Sequence, residues 1–443
     1  MSGSDSVERS PSKRRCLDDD AIPTTRPMAR RPIISADQSL DWSSRVSSPS
    51  KQSREAPSKR LYLLQSAHVM GYRSFAADGD KAPAALQAIV ACIVEDARGT
   101  GILSPSDVDA LKDKADTNPS VDWLLKKPQI VDTSGRRERL GKLPDMGTLA
   151  NILEEAEDCE RRTHAEASWN CAVHYPLLSV ALRLAHVNNA PQLNRHIEIK
   201  AINVTTAKVV KPYVTSTAKA STDSRVDFCV CIMPVYDSPC DDVLYGIAKR
   251  SAHISVNHTD DCLPLINAPI SLSIETNRPD GNSQAALEQI GSWMSCHWKR
   301  IRELTAPDLA AADELGFLPG IIVEGQNWIF VASTQGRVLD SGTRETIMWK
   351  RILIGSTDSI QGICQIITVI QRLATWSAES HWPWFQQTVL GDATFLSEPA
   401  ETTGSSSMTG VGPRRDTTTP AKLSAGRKSL RHRPWLLNNT NQY

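Results

Sequence analysis

The 443-residue chain lacks a net charge, because its 50 lysines and arginines balance its 50 aspartates and glutamates. It has ten cysteines but lacks the CxxC spacing of zinc ribbons and thioredoxin-like sites. No stretch reaches the roughly 18 uninterrupted apolar residues of a membrane span, and no apolar signal segment follows Met1. These absences exclude a strongly basic protein, and they argue against a thiolate-bound metal, secretion and membrane insertion.

Two cysteines, Cys229 and Cys231, stand two positions apart in an apolar run. On a strand this spacing puts both side chains on one face. They fit either a pair of metal-binding thiolates or two small buried hydrophobic residues, and we favour the second interpretation. We expect reduced thiols, and therefore a nuclear or cytoplasmic protein. Because the sequence has no apolar stretch of membrane-spanning length, we expect no membrane partner.

The two ends of the chain lack hydrophobic periodicity. Residues 1–60 carry twelve basic and eight acidic residues, and residues 398–443 carry seven basic and three acidic residues, so each end has a net charge of +4. We expect both tails to be disordered, because such compositions bury too little apolar surface to offset chain entropy. The PSKRR run at residues 11–15 resembles a short nuclear-import signal. The intervening residues 61–397 have a net charge of −8.

Between the tails, apolar residues recur first at helical spacing. Residues 82–95 and 104–114 predict two helices, and we assign residues 61–148 to a helical N-terminal subregion. Residues 145–186 predict one long helix or two consecutive helices. Pro176 should kink or divide this segment, because proline lacks the amide proton that a helix interior requires.

The periodicity then changes to that of strands. In chain order we predict strands at residues 197–210, 225–233 and 268–277, a helix at 283–302, a two-stranded hairpin at 320–334 and a helix at 359–377. This order predicts a mixed α/β sheet flanked by helices. We assign residues 149–397 to this domain.

Two acids, Asp227 and Glu275, stand in otherwise apolar predicted strands. Carboxylates at the ends of adjacent strands commonly hold Mg²⁺, which leaves coordination positions to water and to phosphate oxygens. Such an ion polarises a phosphodiester and activates a water molecule. The alternative is that each acid lies at a strand edge, in solvent or in an ion pair.

Six sequence runs stand in order across this region. They are EASWNCAVHYPLL (166–178), RVDF (225–228), PISLSIETN (269–277), EQIGSW (288–293), LPGIIVEG (318–325) and WPWF (382–385). As a set they resemble the fungal branch of the PD-(D/E)XK nuclease superfamily. The resemblance extends over about residues 149–390 and covers neither tail.

The resemblance implies a restriction-endonuclease-like core of helix, three strands, helix and strand, to which this chain adds N- and C-terminal helices. It implies that Glu166 is the acid of the first helix, and that Asp227 and Glu275 are metal ligands. It places Gln289 on the following helix, near the substrate backbone. It also implies Mg²⁺ or Mn²⁺ as cofactor and DNA as a partner.

The chain departs from the family pattern at the third strand, where the expected Glu-x-Lys reads Glu275-Thr276-Asn277. The lysine orients the attacking water and stabilises developing charge, which a neutral amide does only partly. A cation from elsewhere would have to replace it, and the candidates are Arg278, Lys200, Lys208 and Lys299. The long gap between Asp227 and Glu275 reads as an insertion between strands.

Other polar and aromatic residues fit two interpretations each. Glu166, Asn170 and His174 share a helix face, which either lines the site or forms a structural hydrogen-bonded cluster; we favour the second. The histidines and aspartates of residues 253–261 fit either a metal site or, as we prefer, a solvated loop. Six tryptophans are expected to be core residues rather than base-stacking ones: Trp293, Trp298, Trp328, Trp376, Trp382 and Trp384.

Three functions follow from these observations. The first is a Mg²⁺-dependent nuclease that cleaves DNA phosphodiesters, with Asn277 weakening the case for activity. The second is a catalytically inactive nuclease fold that acts as a nucleic-acid- or protein-binding accessory factor. The third is a scaffold that works through its tails. Because residues 61–397 are acidic, DNA binding requires the tails or a local basic surface, such as that around Lys299, Arg300 and Arg302.

Overall fold

A computed structural model of the chain describes residues 70–115, 119–189, 197–214, 225–236, 238–251, 253–279, 281–340 and 342–391. The two predicted tails and the predicted import signal lie outside the described residues. All of the described residues belong to one compact unit. None of its described helices combines the length and apolarity needed to cross a membrane.

The described residues form a single mixed sheet in the order β1-β7-β6-β5-β4-β3-β2. The pairs β1–β7 and β4–β5 are parallel, and the other neighbouring pairs are antiparallel. The strands are β1 (Met70–Ser74), β2 (Ile197–Asn203), β3 (Phe228–Pro234), β4 (Ile270–Asn277), β5 (Leu318–Glu324), β6 (Asn327–Val338) and β7 (Arg344–Ser356).

Helices pack on both faces of this sheet. The helices that precede α7 in the chain are α1 (Phe75–Asp78), α2 (Ala84–Ala97), α3 (Pro105–Ala115), α4 (Pro119–Leu125), α5 (Arg136–Leu140) and α6 (Met146–Arg161). Helix α7 joins Glu166–Trp169, a π-helical turn Asn170–His174 and Tyr175–Arg183. The others are α8 (His186–Asn189), α9 (Pro239–Arg250), α10 (Ser283–Thr305), α11 (Leu309–Glu314) and α12 (Ile360–Trp376), which continues as π-helical Ser377–His381, α-helical Trp382–Phe385 and π-helical Gln386–Leu390.

The predicted α/β class and the order of the core elements are confirmed. Helix α7 precedes β2, β3 and β4, which pair in sequence as antiparallel neighbours. Strand β5 then lies beside β4 and parallel to it. Parallel neighbours need a crossover connection, and α10 supplies it. This is the order of helix, three strands, helix and strand that the resemblance implies.

The two faces of the sheet bury different hydrophobic clusters. On one face, Phe228 and Ile274 pack with residues of α2, α6, α7 and α12. On the other, Cys229 and Cys231 pack with Ile290 and Trp293 of α10. Both cysteines are buried, which confirms the interpretation as two small buried residues on one face of a strand.

Helix α10 is buried on nearly all of its sides. Toward the sheet, the Trp298 Nε1 donates to Ser333 Oγ on β6 at 3.0 Å, and a Cβ at Gly291 would lie 2.8 Å from Met70 Sδ on β1. On its other side, the Lys299 Nζ donates to Tyr213 O at 2.8 Å. Helix α10 is therefore an interior helix, covered on the side that faces the sheet and on the opposite side.

Residues 145–186 contain two consecutive helices, α6 and α7, which is one of the two predicted alternatives, but Pro176 does not divide them. The break falls earlier, between α6 and α7, where Thr163 has a φ of 52°. At Pro176 the helix continues, but the preceding turn, Asn170–His174, is π-helical. A proline ring collides with the carbonyl four residues earlier in a regular α-helix, and a wider preceding turn relieves that collision.

The predicted insertion between β3 and β4 is present, but its loop is not solvated as expected. His253 and His258 are buried, because His253 packs on Tyr213 and His258 packs edge-on against Trp293 of α10 at 4.2 Å between ring centroids. The two acids of this segment, Asp260 and Asp261, are exposed. The preference for a solvated loop is therefore wrong for the two histidines.

The tryptophans behave as core residues, as predicted. Four of the six are buried and two are partly buried against the core; the buried ones are Trp293, Trp298, Trp328 and Trp382, and the partly buried ones are Trp376 and Trp384.

Candidate functional site

The two acids predicted as metal ligands lie at the same end of the β3–β4 pair. Asp227 immediately precedes β3, whose first residue, Phe228, pairs with Ile274 on β4. Glu275 is the next residue of β4. Because the two strands are antiparallel, the start of β3 and the end of β4 lie side by side, at the same end of the strand pair. Both acids are buried, with 5% of Asp227 and 1% of Glu275 exposed.

The carboxylate of Asp227 is fixed by the residue that follows Glu275. Its Oδ2 accepts hydrogen bonds from the Thr276 amide at 2.9 Å and from the Thr276 hydroxyl at 2.8 Å. The Asp227 amide donates to Ile274 O at 3.0 Å. Two donors on one carboxylate oxygen fix the rotamer of the acid relative to β4. The central residue of the Glu-x-Asn run thus orients the first acid.

Alternation along β4 puts Glu275 and Asn277 on the face that α10 covers. Ser273 lies on that face, since its Oγ accepts a hydrogen bond from Trp293 Nε1 at 3.1 Å. Glu275 and Asn277 follow at two-residue intervals, and in register they pair with Ile322 and Glu324 of β5. The position of the family lysine therefore shares a face with the second predicted ligand.

Gln289 of α10 lies next to the segment that carries Asp227. Its Nε2 donates to Arg225 O at 2.9 Å, two residues before the acid. Trp293, one turn further along α10, contacts Ser273 of β4. The predicted shared face of Gln289 and Trp293 is therefore the face that packs on β3 and β4. Gln289 acts here on the protein backbone and braces the start of β3.

Asn277 is enclosed by two tight turns. A Cβ at Gly281 would lie 2.8 Å from Asn277 Cβ, and the Asn277 carbonyl accepts from the Gly325 amide at 2.8 Å. Gly325 has a φ of 59° and lies so close to Pro279 that a Cβ there would be 2.4 Å from Pro279 Cγ. Among the described residues, nothing hydrogen bonds to the buried Asn277 Nδ2.

Helix α7 is docked onto the same turn through His174. The His174 Nε2 lies 3.0 Å from Gly325 O, and its Nδ1 lies 2.9 Å from Asn170 Oδ1. Burial lowers the pKa of His174 to about 4, so the ring is neutral at pH 7. The neutral ring has a single N–H, which Nε2 donates to Gly325 O, so His174 links α7 to the β5–β6 turn while Asn170 lies beside Nδ1. Glu166 begins α7 two turns earlier and is partly buried, and its role as the helix acid stays a prediction.

The four cations considered as substitutes for the lysine have different surroundings. Lys299 donates to Tyr213 O, and Lys200 pairs with Glu198 at 2.7 Å in an exposed position. Lys208 is exposed, and its amide donates to Asp261 Oδ1 at 2.8 Å. Arg278 is exposed and directly follows Asn277. Of the four, Arg278 stands nearest in sequence to the lysine position.

Two charged residues beside the site, Glu288 and Arg225, have no role predicted from the sequence. Glu288 precedes Gln289 on α10 and is only 3% exposed, and Arg225 is partly buried two residues before Asp227. Both stand in the runs that carry the family resemblance. The sequence around Glu288 gave no signal for its burial, because its helix neighbours include the polar Gln284, Gln289 and Ser292. Its burial follows only from the enclosure of α10.

Within the described ranges, no three side chains of the His, Cys, Asp and Glu types group so as to hold a metal ion. The site is therefore described by the pair Asp227 and Glu275, without a third protein ligand. Mg²⁺ is commonly bound by one or two carboxylates together with waters and substrate phosphate oxygens. Two carboxylates from neighbouring strands fit that donor set.

Sheet order, the α10 crossover and acids at the β3–β4 end define a restriction-endonuclease-like protein. The chain matches the family profile of the PD-(D/E)XK nuclease superfamily over residues 110–382, and it therefore belongs to this superfamily. No curated protein and no solved structure matches the chain. The matched region contains Glu166, Asp227, Glu275 and Gln289, and it begins within α3.

Proposed function

We propose that the β3–β4 end is a divalent-metal nuclease site that acts on DNA, with Asp227 and Glu275 as the protein ligands of Mg²⁺ or Mn²⁺. One observation carries the proposal: two acids from antiparallel neighbours are buried at a single strand end in a member of a nuclease superfamily. A bound ion would polarise the phosphodiester and lower the pKa of an attacking water. The motifs also support membership of the fungal branch of the superfamily.

The other residues prepare this pair of acids. The amide and hydroxyl of Thr276 hold Asp227 in one orientation, and Gln289 holds the backbone that leads into it. Asn277 occupies the lysine position and offers an amide without charge. Since a full positive charge stabilises a developing anion better than a neutral donor does, we expect slow cleavage by the natural chain.

A second candidate function is a nuclease fold that binds nucleic acid without cleaving it. The observation in its favour is Asn277 together with the engagement of two candidate cations elsewhere, Lys299 with Tyr213 O and Lys200 with Glu198. This function uses the same strand end as a binding surface. It predicts binding that survives the loss of Asp227.

The compartment we propose is the nucleus or the cytoplasm. All nine cysteines within the described ranges are free thiols, and several are buried in the core. Disulfides are typical of oxidising compartments and rare in the cytosol and nucleus. Free thiols support the proposal, and the location of a tagged chain in cells tests it.

The decisive experiment compares four proteins: the natural chain, Asp227→Asn, Asn277→Lys and the double variant. Each is incubated with single-stranded and plasmid DNA in Mg²⁺, Mn²⁺ or EDTA, and cleavage rates and binding affinities are measured. A nuclease should cleave slowly, faster by at least about ten-fold after Asn277→Lys, and not at all after Asp227→Asn. Asp242→Asn, which changes an exposed acid on α9, serves as the matched control and should retain the natural rate.

The outcomes separate the two functions. Cleavage that requires Asp227 supports the nuclease. Binding without cleavage in the natural chain, unchanged by Asp227→Asn, supports the binding fold and rejects the nuclease. Cleavage by the Asp227→Asn protein would mean that a contaminating enzyme or a different site is responsible, and it would contradict the role of Asp227 as a metal ligand.

A further inference from the structure

The insertion between β3 and β4 rests on α10 through a histidine ring that makes no hydrogen bond. His258 is completely buried, and its ring packs edge-on against Trp293 with the ring centroids 4.2 Å apart and stacks on His297 at 5.1 Å. Neither ring nitrogen of His258 bonds to any described residue. A phenyl ring would fill this place without leaving two polar nitrogens unsatisfied, so packing alone does not account for an imidazole here.

The groups that act electrostatically on this ring are all basic. Burial lowers the pKa of His258 well below its usual value, and three side chains lower it further: those of His297 and Arg300 on α10 and of His253 in the insertion. Within the part of the chain that the structure describes, these groups include no carboxylate. A proton on the packed ring would therefore meet like charge away from solvent, and the ring has to stay neutral while it is covered.

The acidic groups of this region are directed elsewhere. Glu303 of α10 pairs with Arg300 at 3.1 Å and accepts a hydrogen bond from Tyr213. Asp260 and Asp261 follow His258 in the chain, but both are exposed. The remaining titratable groups are Cys296 and Lys299, which both donate to Tyr213 O, and His381, a further basic group that interacts with His297. None of them supplies a negative charge to the His258 ring.

Residues 253–269, the second half of the insertion, form one loop with its own internal hydrogen bonds. Within these described residues there is no strand, the one helical turn is Leu263–Leu265, and Asn257 Nδ2 donates to Leu265 O at 2.6 Å. Ile254 is 58% exposed and has a φ of 45°, a left-handed conformation that strains a β-branched residue. A loop with little regular structure and a strained residue at its start is a region that opens before the sheet does.

We propose that residues 253–269 act as an acid-sensitive cover on α10, which leaves the helix below about pH 6 while the sheet stays folded. When the loop opens, His258 reaches solvent and regains its ordinary pKa of about 6.5, so the open state binds a proton that the closed state does not. The open state is therefore favoured as the pH falls, by about twenty-fold between pH 7 and pH 5 for this one ring. Opening also uncovers Trp293, whose Nε1 donates to Ser273 Oγ on β4. The inference does not depend on the proposed nuclease function.

Hydrogen–deuterium exchange of the full chain, followed by mass spectrometry at pH 7 and pH 5, tests this proposal. After correction for the intrinsic exchange rate, peptides from residues 253–269 should lose about twenty-fold or more of their protection at pH 5, and should then exchange at least about ten-fold faster than peptides of β5 and β6. His258→Phe keeps a ring in the same place but cannot take up the proton, so the loss of protection should shrink by about ten-fold or more. The exposed His186→Gln is the matched control and should keep the natural loss.

Two results would overturn the proposal. If residues 253–269 and the sheet lose protection together at pH 5, the loop opens only with the whole domain. This comparison uses the natural chain alone, so it decides the matter even if the Phe variant does not fold. If the natural chain and a folded His258→Phe protein lose the same protection, the proton is taken up elsewhere and His258 is not the sensor.

Discussion

Helix α10 carries two polar clusters, and they differ in what encloses them. The site cluster, at its N-terminal half, consists of Asp227, Glu275, Asn277 and Gln289. The histidine cluster, at its C-terminal half, consists of Tyr213, His253, His258, His297 and Arg300. The site cluster lies at a strand end beside exposed residues such as Arg278, whereas the histidine cluster is closed beneath the insertion between β3 and β4.

The hydrogen bonds of the histidine cluster connect segments that lie far apart in the chain. Arg300 donates to Ser251 Oγ at 2.6 Å and also to the Ser255 carbonyl, and it lies beside Glu303 at 3.1 Å. Tyr213 donates to Glu303, and its hydroxyl lies 3.0 Å from His253 Nε2. These contacts attach the insertion to α10. Burial of polar groups therefore marks structure in one half of the helix and a candidate site in the other.

The largest expected effect comes from breaking the histidine cluster. Arg300→Met removes a buried cation with several partners, so we expect a loss of about 3–5 kcal/mol in the free energy of unfolding. Urea denaturation followed by circular dichroism measures it. Arg302→Met, on the same helix but partly exposed with a single bond to Gln335, is the control and should cost about 1 kcal/mol or less. A loss at Arg300 no larger than at Arg302 would contradict a structural role for the cluster.

A smaller effect is expected from pH. Burial lowers the pKa of His297 to about 3 in the folded state, against about 6.5 when the chain is unfolded. Between these values the unfolded state binds the proton and the folded state does not, so stability falls as the pH drops below about 6.5. From pH 7 to pH 5 the loss is about 2 kcal/mol for this residue.

His297→Gln should remove that share of the pH dependence, measured as the free energy of unfolding at pH 7 and pH 5. The exposed His186→Gln is the control and should keep the natural difference between the two pH values. An unchanged difference in the His297 variant would mean that this ring titrates alike in both states. His174, whose pKa burial lowers to about 4, acts in the same direction at the site end.

The smallest effect on stability is expected at Gln289. Gln289→Ala removes one hydrogen bond to Arg225 O, which is worth about 1 kcal/mol of unfolding free energy. If the glutamine positions the segment that leads into Asp227, DNA cleavage or binding should fall by about ten-fold. A loss of about 1 kcal/mol in unfolding free energy leaves the protein folded, so unfolding would not account for that fall. Gln284→Ala, on the same helix, is the control. Equal loss in both variants would remove Gln289 from the site.

Much of the core was predictable because its elements are locally consistent. The α10 pattern and the β5–β6 hairpin follow from periodicity, and their observed bounds differ from the predicted ones by a few residues. Strands β1 and β7 were not predicted. Strand β1 is short and contains glycine and serine, so only its pairing with β7 makes it a strand. The alternation of β7 is broken near Arg351, which has a φ of 71°.

The site was predictable only in part. The sequence places Asp227 and Glu275 on strands, but the antiparallel register is needed to bring them to one end. The hold of Thr276 on Asp227 and the burial of Glu288 depend on contacts between residues far apart in the chain. The burial of His258 has the same cause, because a polar, histidine-rich loop looks solvated until α10 lies over it. Long-range packing was thus the missing information in each case.

The order of the sheet has a consequence for self-association. Its two outer strands are β1, which has five residues, and β2, which carries the exposed ion pair of Glu198 and Lys200. Edge strands offer unpaired backbone groups to other chains, and natural proteins blunt them by shortness or by charge. Each edge here has one of these protections. The sheet is therefore poorly suited to adding a strand from a neighbouring molecule, which lowers the risk of aggregation.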